Sequence, residues 1–370
     1  MDKNFLFICG DLSGTRMMVL IAQKLESLGH KVEFVFDGEG MGFQVLIETR
    51  TNFQVQFESV SGLHRLPTET PDLVFISTCA SANKVEKAFA RAFSGIKPVV
   101  FGADGFFNHG YKWREDNADF WFAINEAHAQ AIRALRPLLN PDRVKVVGQP
   151  AFDSCLELIP KKDLVRREQR LALGIQEEEK AFLWFSQGMP EVIEEDLEMM
   201  TEGIRSLGSK TPHSVFIPRV HPKLDKLKSG YVESIYTDLR HLCQQNGVRL
   251  IRADNLRGEE LCLASDVIIS ITATDDIKNW LMGGPLVIHL MGPKVRQWFE
   301  ESLLLKPPNY LPDVQAEEAL AVRSKSDWSS VIAEALNPEK VRFLRRNWRA
   351  PETNATEITS TRLIEIANLG

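Results

Sequence analysis

The chain is poor in the residues that would make it a secreted, metal-stapled or membrane-spanning protein. Its five cysteines (Cys9, Cys79, Cys155, Cys243 and Cys262) are scattered over 370 residues without a C-x-x-C pair. That spacing speaks against a disulfide framework or a zinc site and for buried free thiols in a reducing compartment. No apolar run approaches the ~20 residues that a membrane span needs. The apolar run in the opening "MDKNFLFICGD" is about five residues long, too short for a signal peptide, and reads as a first strand. The expectation is a cytoplasmic protein without a transmembrane segment, peripheral membrane contact being left open. A net charge of -6 leaves no broad basic surface, so nucleic acid is not an expected partner. No G-x-G-x-x-G motif is present, so no dinucleotide cofactor is indicated. D-x-D is missing too, which fits chemistry without a metal. There is no repeat of 20–50 residues and no low-complexity segment.

What is present is ordinary globular material: 44% hydrophobic and 25% charged residues, in a length natural for two domains. Short apolar runs alternate with helix-like segments. "FLFICG", "KVEFVF", "DLVFIST", "KPVVFGAD", "DFWFAIN" and "VKVVGQP" read as strands of the first half. The charged stretch 159–180 looks helical. The alternation then restarts with "AFLWFSQG", "SVFIPRVHP", "VRLIRA", "DVIISIT" and "PLVIHLMG". Continuous rather than alternating apolar runs fit parallel strands buried on both faces. The reading is therefore α/β, with two doubly wound Rossmann-like domains facing each other. Residues 1–160 form the first, 161–350 the second, and 351–370 a final helix expected to pack back on the first. The basic "RFLRRNWR" reads as a solvated helix face, with an anionic membrane surface as the alternative.

In such sheets ligands bind outside the carboxyl ends of the strands. "CGDLSGTR" ends the first strand. Gly10 and Gly14 allow a tight turn, and Ser13 and Thr15 can cap the following helix, whose start favours an anion. A simple capped turn is the plainer reading. "FGADGFFNHGYKW" places Asp104 and His109 on one loop, where either can serve as a general base; a loop histidine satisfied by a carbonyl is the alternative. In the second half, "FSQGMPE" offers Ser186, Gln187 and Gly188. "RVHP" offers Arg219 and His221, and "SITATDD" offers Thr272 and Thr274 ahead of a helix. Each loop alone is a weak signal. Together they are strand ends of one sheet with phosphate-friendly chemistry, so joint phosphate or nucleotide binding is expected, with a purely structural His221 as the alternative.

These segments resemble GT-B-fold nucleotide-sugar enzymes. "VVGQPAFD" is similar to the G-N-P-x-x-D junction of UDP-N-acetylglucosamine 2-epimerases and surface-carbohydrate transferases. "RVHP" resembles the His-Pro motif of bacterial sialyltransferases, capsule transferases and CDP-glycerol glycerophosphotransferases. "ASDVIISITATDDIKNWLMGGPLVI" resembles the donor-phosphate segment of the last group, with Ala273 and Thr274 where that group has paired hydroxyls; Thr272 can substitute. "ADG" at 103–105 is similar to the sialyltransferase motif that carries the base, matched at Asp104 and Gly105. "GTR" (Gly14, Thr15, Arg16) fits the first loop of the epimerases. Their G-H-R stretch is replaced by "SQGMPE", and their paired glutamates by Ile277 and Lys278.

The resemblance implies a GT-B-like architecture with the active site in the cleft between the domains. It implies a metal-independent glycosyltransferase that needs no cofactor beyond its nucleotide-sugar donor. The acceptor would be a carbohydrate, lipid-linked or protein hydroxyl, in surface-polysaccharide or protein glycosylation. Asp104 or His109 would be the base. Ser186, Gln187, Gly188, Arg219, His221, Thr272 and Thr274, with Gly14, Thr15 and Arg16, would bind the donor. The alternatives are an epimerase or hydrolase of a UDP-sugar and a non-catalytic nucleotide-sugar-binding protein.

Overall fold

The structure is a computed structural model that describes residues 2–10, 12–37, 45, 53–58, 70–77, 84–103, 105, 118–221, 223–303, 310–349 and 354–369. The chain divides into two compact units. One comprises residues 1–154, 302–304 and 352–370; the other comprises 155–301 and 305–351.

The first unit is built on β1 (Asn4–Cys9), β2 (Lys31–Asp37), β3 (Gln54–Glu58), β4 (Leu73–Ser77), β5 (Val99–Gly102), β6 (Phe120–Ala123) and β7 (Val144–Val146). All pair in parallel in the order β3-β2-β1-β4-β5-β6-β7. Both faces are covered, which is why the strand sequences are continuously apolar. In β1, Phe5, Phe7 and Cys9 face a core shared with Met17, Met18, Ile21 and Leu25 of the helix Leu12–Ser27. Leu6 and Ile8 face the other core, with Phe89 and Ile132 from the helices Lys84–Phe93 and Glu126–Leu135.

The last helix, Ala355–Ala367, belongs to this unit and adds Leu363, Ile366 and Ala367 to the first core. Its start is held by the segment that follows β7. Asp153 accepts hydrogen bonds from the backbone of Ala355 (2.7 Å) and Thr356 (2.9 Å) and from the Thr356 hydroxyl (2.6 Å). Gly148 has φ +86°, and a Cβ there would lie 2.7 Å from the Ala355 Cβ. The buried Gln149 donates to the Ala103 carbonyl at 3.2 Å. "VVGQPAFD" is thus a socket for the chain's end as well as an exit from the sheet.

The second unit uses β8 (Lys180–Phe185), β9 (Ser214–Arg219), β10 (Arg249–Leu250), β11 (Val267–Ser270), β12 (Leu286–Leu290) and β13 (Leu320–Val322). Its parallel order, β10-β9-β8-β11-β12-β13, repeats the plan of the first sheet without a seventh strand. "VRLIRA" contributes only Arg249 and Leu250 to the ladder, because β10 is an edge strand with β9 as its single neighbour. Four cysteines are described (Cys9, Cys155, Cys243 and Cys262), and all are buried. No helix among the described residues is long and apolar enough to cross a membrane.

Asp153→Ala leaves two part-buried backbone donors without their acceptor, which costs up to about 1–3 kcal/mol each. Urea unfolding should show a loss of that order, and limited proteolysis should cut the 355–367 segment first. Wild-type stability with an unchanged cleavage pattern would contradict the socket.

Candidate phosphate-binding site

In an open parallel sheet the crevice forms where the strand order reverses. In the second unit that point lies between β8 and β11, with β9 on the far side of β8. The loops after these three adjacent strands hold Ser186–Gly188, Arg219–His221 and Ile271–Thr274.

The β8 loop is fixed from below by Asp196, a fully buried residue of the helix Ile193–Lys210. Its carboxylate accepts from the Gln187 backbone at 2.9 Å and from the Trp184 indole at 3.1 Å. Burial pushes its pKa up to about 7, against the pull of those two donors. The Gln187 side chain then reaches across the switch point and donates to the Thr272 carbonyl. Ser186 accepts from the His221 backbone N–H at 2.8 Å, which joins the β8 loop to the β9 loop. A Cβ on Gly188 would lie 2.7 Å from the His221 Nδ1, so only glycine lets the imidazole sit there.

His221 is half-buried, and its Nδ1 accepts from the Lys223 backbone N–H at 3.1 Å. Burial, with Lys223 nearby, lowers its pKa. It is therefore neutral near pH 7, with its proton on Nε2. That nitrogen has no partner among the described residues and serves as a donor. The Arg219 guanidinium gives one nitrogen to the Leu256 carbonyl. Its remaining N–H groups make no hydrogen bond among the described residues, although Asp254 is near enough for its carboxylate to feel the guanidinium charge.

After β11 the helix Thr274–Met282 begins. Its N-cap is Ala273, which has no side-chain oxygen to occupy the first amides. Asp276 instead turns back, accepting from the Ala273 backbone N–H and the Ser270 hydroxyl, each at 2.7 Å. The backbone N–H groups of Thr274 and Asp275 have no acceptor among the described residues, so the positive end of the helix dipole is open. The residue that lacks a hydroxyl leaves the amides free. Thr272 is half-buried and Thr274 exposed.

Lys278 does not face a ligand alone. It is paired with Asp275 at 2.9 Å and with Glu259 of the neighbouring helix Gly258–Ala264 at 3.1 Å. Ile277 is buried in the core.

In the first unit, Gly14 and Thr15 are buried within the helix Leu12–Ser27 and Arg16 is exposed. The helix begins before Thr15, so Thr15 is not its cap, contrary to the reading from sequence. Asp104 and His109 lie outside the described residues. No group of three or more histidine, cysteine or acidic side chains suited to a metal occurs among the described residues. Sequence reasoning missed Asp196, Glu259 and Asp276. The one local signal was the "TDD" spacing at a helix start, a pattern that favours a carboxylate turning back on its own N-terminus.

Several solved structures share the whole fold. MnaA of S. aureus, solved with UDP, has a TM-score of 0.65 at 15% identity, covering 100% of this chain and 98% of that one. The UDP-GlcNAc 2-epimerase of Neisseria meningitidis, solved with UDP-GlcNAc, scores 0.62 at 17% identity and covers 99% and 100%. A glycosyltransferase of Rickettsia africae scores 0.60 at 12% identity and covers 100% and 98%. The fold is thus that of the GT-B nucleotide-sugar enzymes, with two Rossmann-like units. No family model and no curated protein matches the sequence.

Asp196 yields a prediction with a defined sign. Its folded pKa is raised, so the charged form is the costly one, and the folded state loses stability as pH rises through about 7. Asp196→Ala is destabilised at every pH because two buried donors lose their acceptor. The gap between wild type and variant should narrow from pH 5 to pH 8 in urea titrations. A gap that widens over that range would contradict the buried, costly carboxylate.

Proposed function

We propose that the protein is a nucleotide-sugar-dependent glycosyltransferase whose donor diphosphate sits on the loops after β9, β8 and β11. One observation supports this reading: three adjacent strand ends at the switch point each carry hydrogen-bond donors. They are the Ser186 hydroxyl, the His221 Nε2–H, the free face of Arg219 and the open amides of Thr274 and Asp275. Donors carried on adjacent strand ends suit a group with many acceptor oxygens and negative charge.

In the transfer, an acceptor hydroxyl attacks the anomeric carbon and the bond from that carbon to the diphosphate oxygen breaks. The diphosphate leaves with the bonding pair, and Asp104 or His109 takes the acceptor's proton. Arg219 and the helix amides stabilise the charge that develops on the leaving group. His221 contributes as a donor rather than as a base, since its Nδ1 lone pair is already engaged by Lys223. A surface carbohydrate, lipid-linked sugar or protein side chain in the cytoplasm is the acceptor class we favour.

An epimerase or hydrolase of a UDP-sugar is the second reading, favoured by the solved 2-epimerases that share the fold. Ile277 in the core and Lys278 locked to Asp275 and Glu259 weigh against it, because the resemblance of the sequence puts the epimerase carboxylates at those positions. UDP and UDP-sugars are the first probes, as the similar structures were solved with them.

Thermal shift against UDP, GDP, CDP, CMP, dTDP and several nucleotide sugars should single out one nucleotide. His221→Ala and Gly188→Ala should each weaken its binding by about 10- to 100-fold, the worth of one hydrogen bond to a charged group. Asp104→Ala should bind normally and lose turnover. Stabilisation by no nucleotide would remove the donor seat. Isomerised sugar formed from donor alone, followed by NMR, would replace the transferase reading with the epimerase one.

A further inference from the structure

Beneath the β11 loop lies a charged pair that the donor reading does not use. His289 is on β12 and its side chain is 2% exposed. Its Nδ1 lies 3.0 Å from the Ile271 carbonyl oxygen, and its Nε2 lies 2.8 Å from Asp313 Oδ2. A carbonyl oxygen can only accept a hydrogen bond. Asp313 is held ionised, below the usual carboxylate range, so its Oδ2 is an acceptor as well, while its other oxygen takes the Val314 N–H at 2.9 Å. Both ring nitrogens therefore face acceptors, and both carry protons. The side chain is an imidazolium buried under the loop that precedes the helix Thr274–Met282.

We propose that His289 is a positioning residue: clamped by Asp313, it fixes the Ile271 carbonyl and thereby aims the amides of Thr274 and Asp275 at the donor's phosphates. The inference rests on the nucleotide reading above and deepens it. Ile271, Thr272 and Ala273 are then each held from the protein side, by His289, Gln187 and Asp276 respectively. Only the outward amides are left for a ligand.

The ionisable groups around the imidazolium are Asp313 on the short helix Pro312–Gln315 and Asp276 on the helix Thr274–Met282. Glu318 and Arg345 lie behind, acting on Asp313 or on each other. Burial alone would lower the His289 pKa, but Asp313, its hydrogen bond and Asp276 outweigh it and lift the value to about 9. Burial raises the pKa of Asp276 to about 6, with His289 opposing. Burial would raise that of Asp313 as well, but His289 holds it below the usual range. The clamp is complete from about pH 7 and is lost as pH climbs through about 9.

The test uses the full chain and three readouts. First, in 15N-histidine-labelled protein at pH 7.5, the His289 ring should show two protonated nitrogens; a ring with one proton would overturn the proposal. Second, His289→Gln combined with Asp313→Asn replaces the ion pair by neutral amides and leaves no lone buried charge. Hydrogen exchange over residues 270–276 should then be about tenfold faster, since a held loop opens more often once its tie is weakened; unchanged exchange would overturn the proposal. Third, UDP affinity in the double variant should fall about tenfold and lose its decline above pH 9. A wild-type UDP affinity and pH profile in a double variant whose loop exchanges faster would also overturn it. If wild type itself fails to bind UDP, the donor reading falls, while ring protonation and exchange still decide the clamp.

Discussion

The Gln187 bridge is the contact on which the second unit's site depends. Its backbone is seated on Asp196, and its side-chain amide reaches the Thr272 carbonyl. One residue so links the strand ends on either side of the reversal in strand order. Parallel strands diverge beyond their carboxyl ends, and loops there have no ladder to hold them. A side-chain bridge supplies the missing tie. Gln187 and Asp196 are both buried, so the contact is not diluted by water.

The same loops are held from beneath. Asp196, Asp276 and His289 satisfy the inward groups with acceptors or donors of the right kind. The outward groups are donors that find no acceptor among the described residues. A Ser, Thr or Asn at position 273 would place a side-chain oxygen over the first amides of the helix; Ala273 does not. Gly188 lets His221 approach without a collision, and the Lys223 amide fixes which ring nitrogen keeps the proton. In the donor seat we propose, neutral His221 would offer a directed hydrogen bond and partly engaged Arg219 a charge.

Much of the fold was legible because parallel strands covered on both faces leave continuous apolar runs. β1, β2, β4, β8, β9, β11 and β12 all read that way. The edges did not. "QVQFE" of β3 alternates polar and apolar residues, and β10 keeps only two residues in register. The site loops were readable from the residue types that follow each strand. Their supports were not, because they act through the fold. Asp196 sits in the acidic run "EEDLE", which as sequence is a solvated helix face, yet it is 0% exposed. His289 did leave a trace: a lone histidine in the apolar "PLVIHLM" must find partners or be neutral. Its partners, at Ile271 and Asp313, are remote in sequence.

A crystal structure of the protein grown with UDP tests the central claim most directly. The expected result places the phosphates against the amides of Thr274 and Asp275, within hydrogen-bond reach of the Ser186 hydroxyl, Arg219 or His221 Nε2, with the Gln187–Thr272 bridge intact. UDP bound elsewhere, with these donors facing only solvent, would contradict the account.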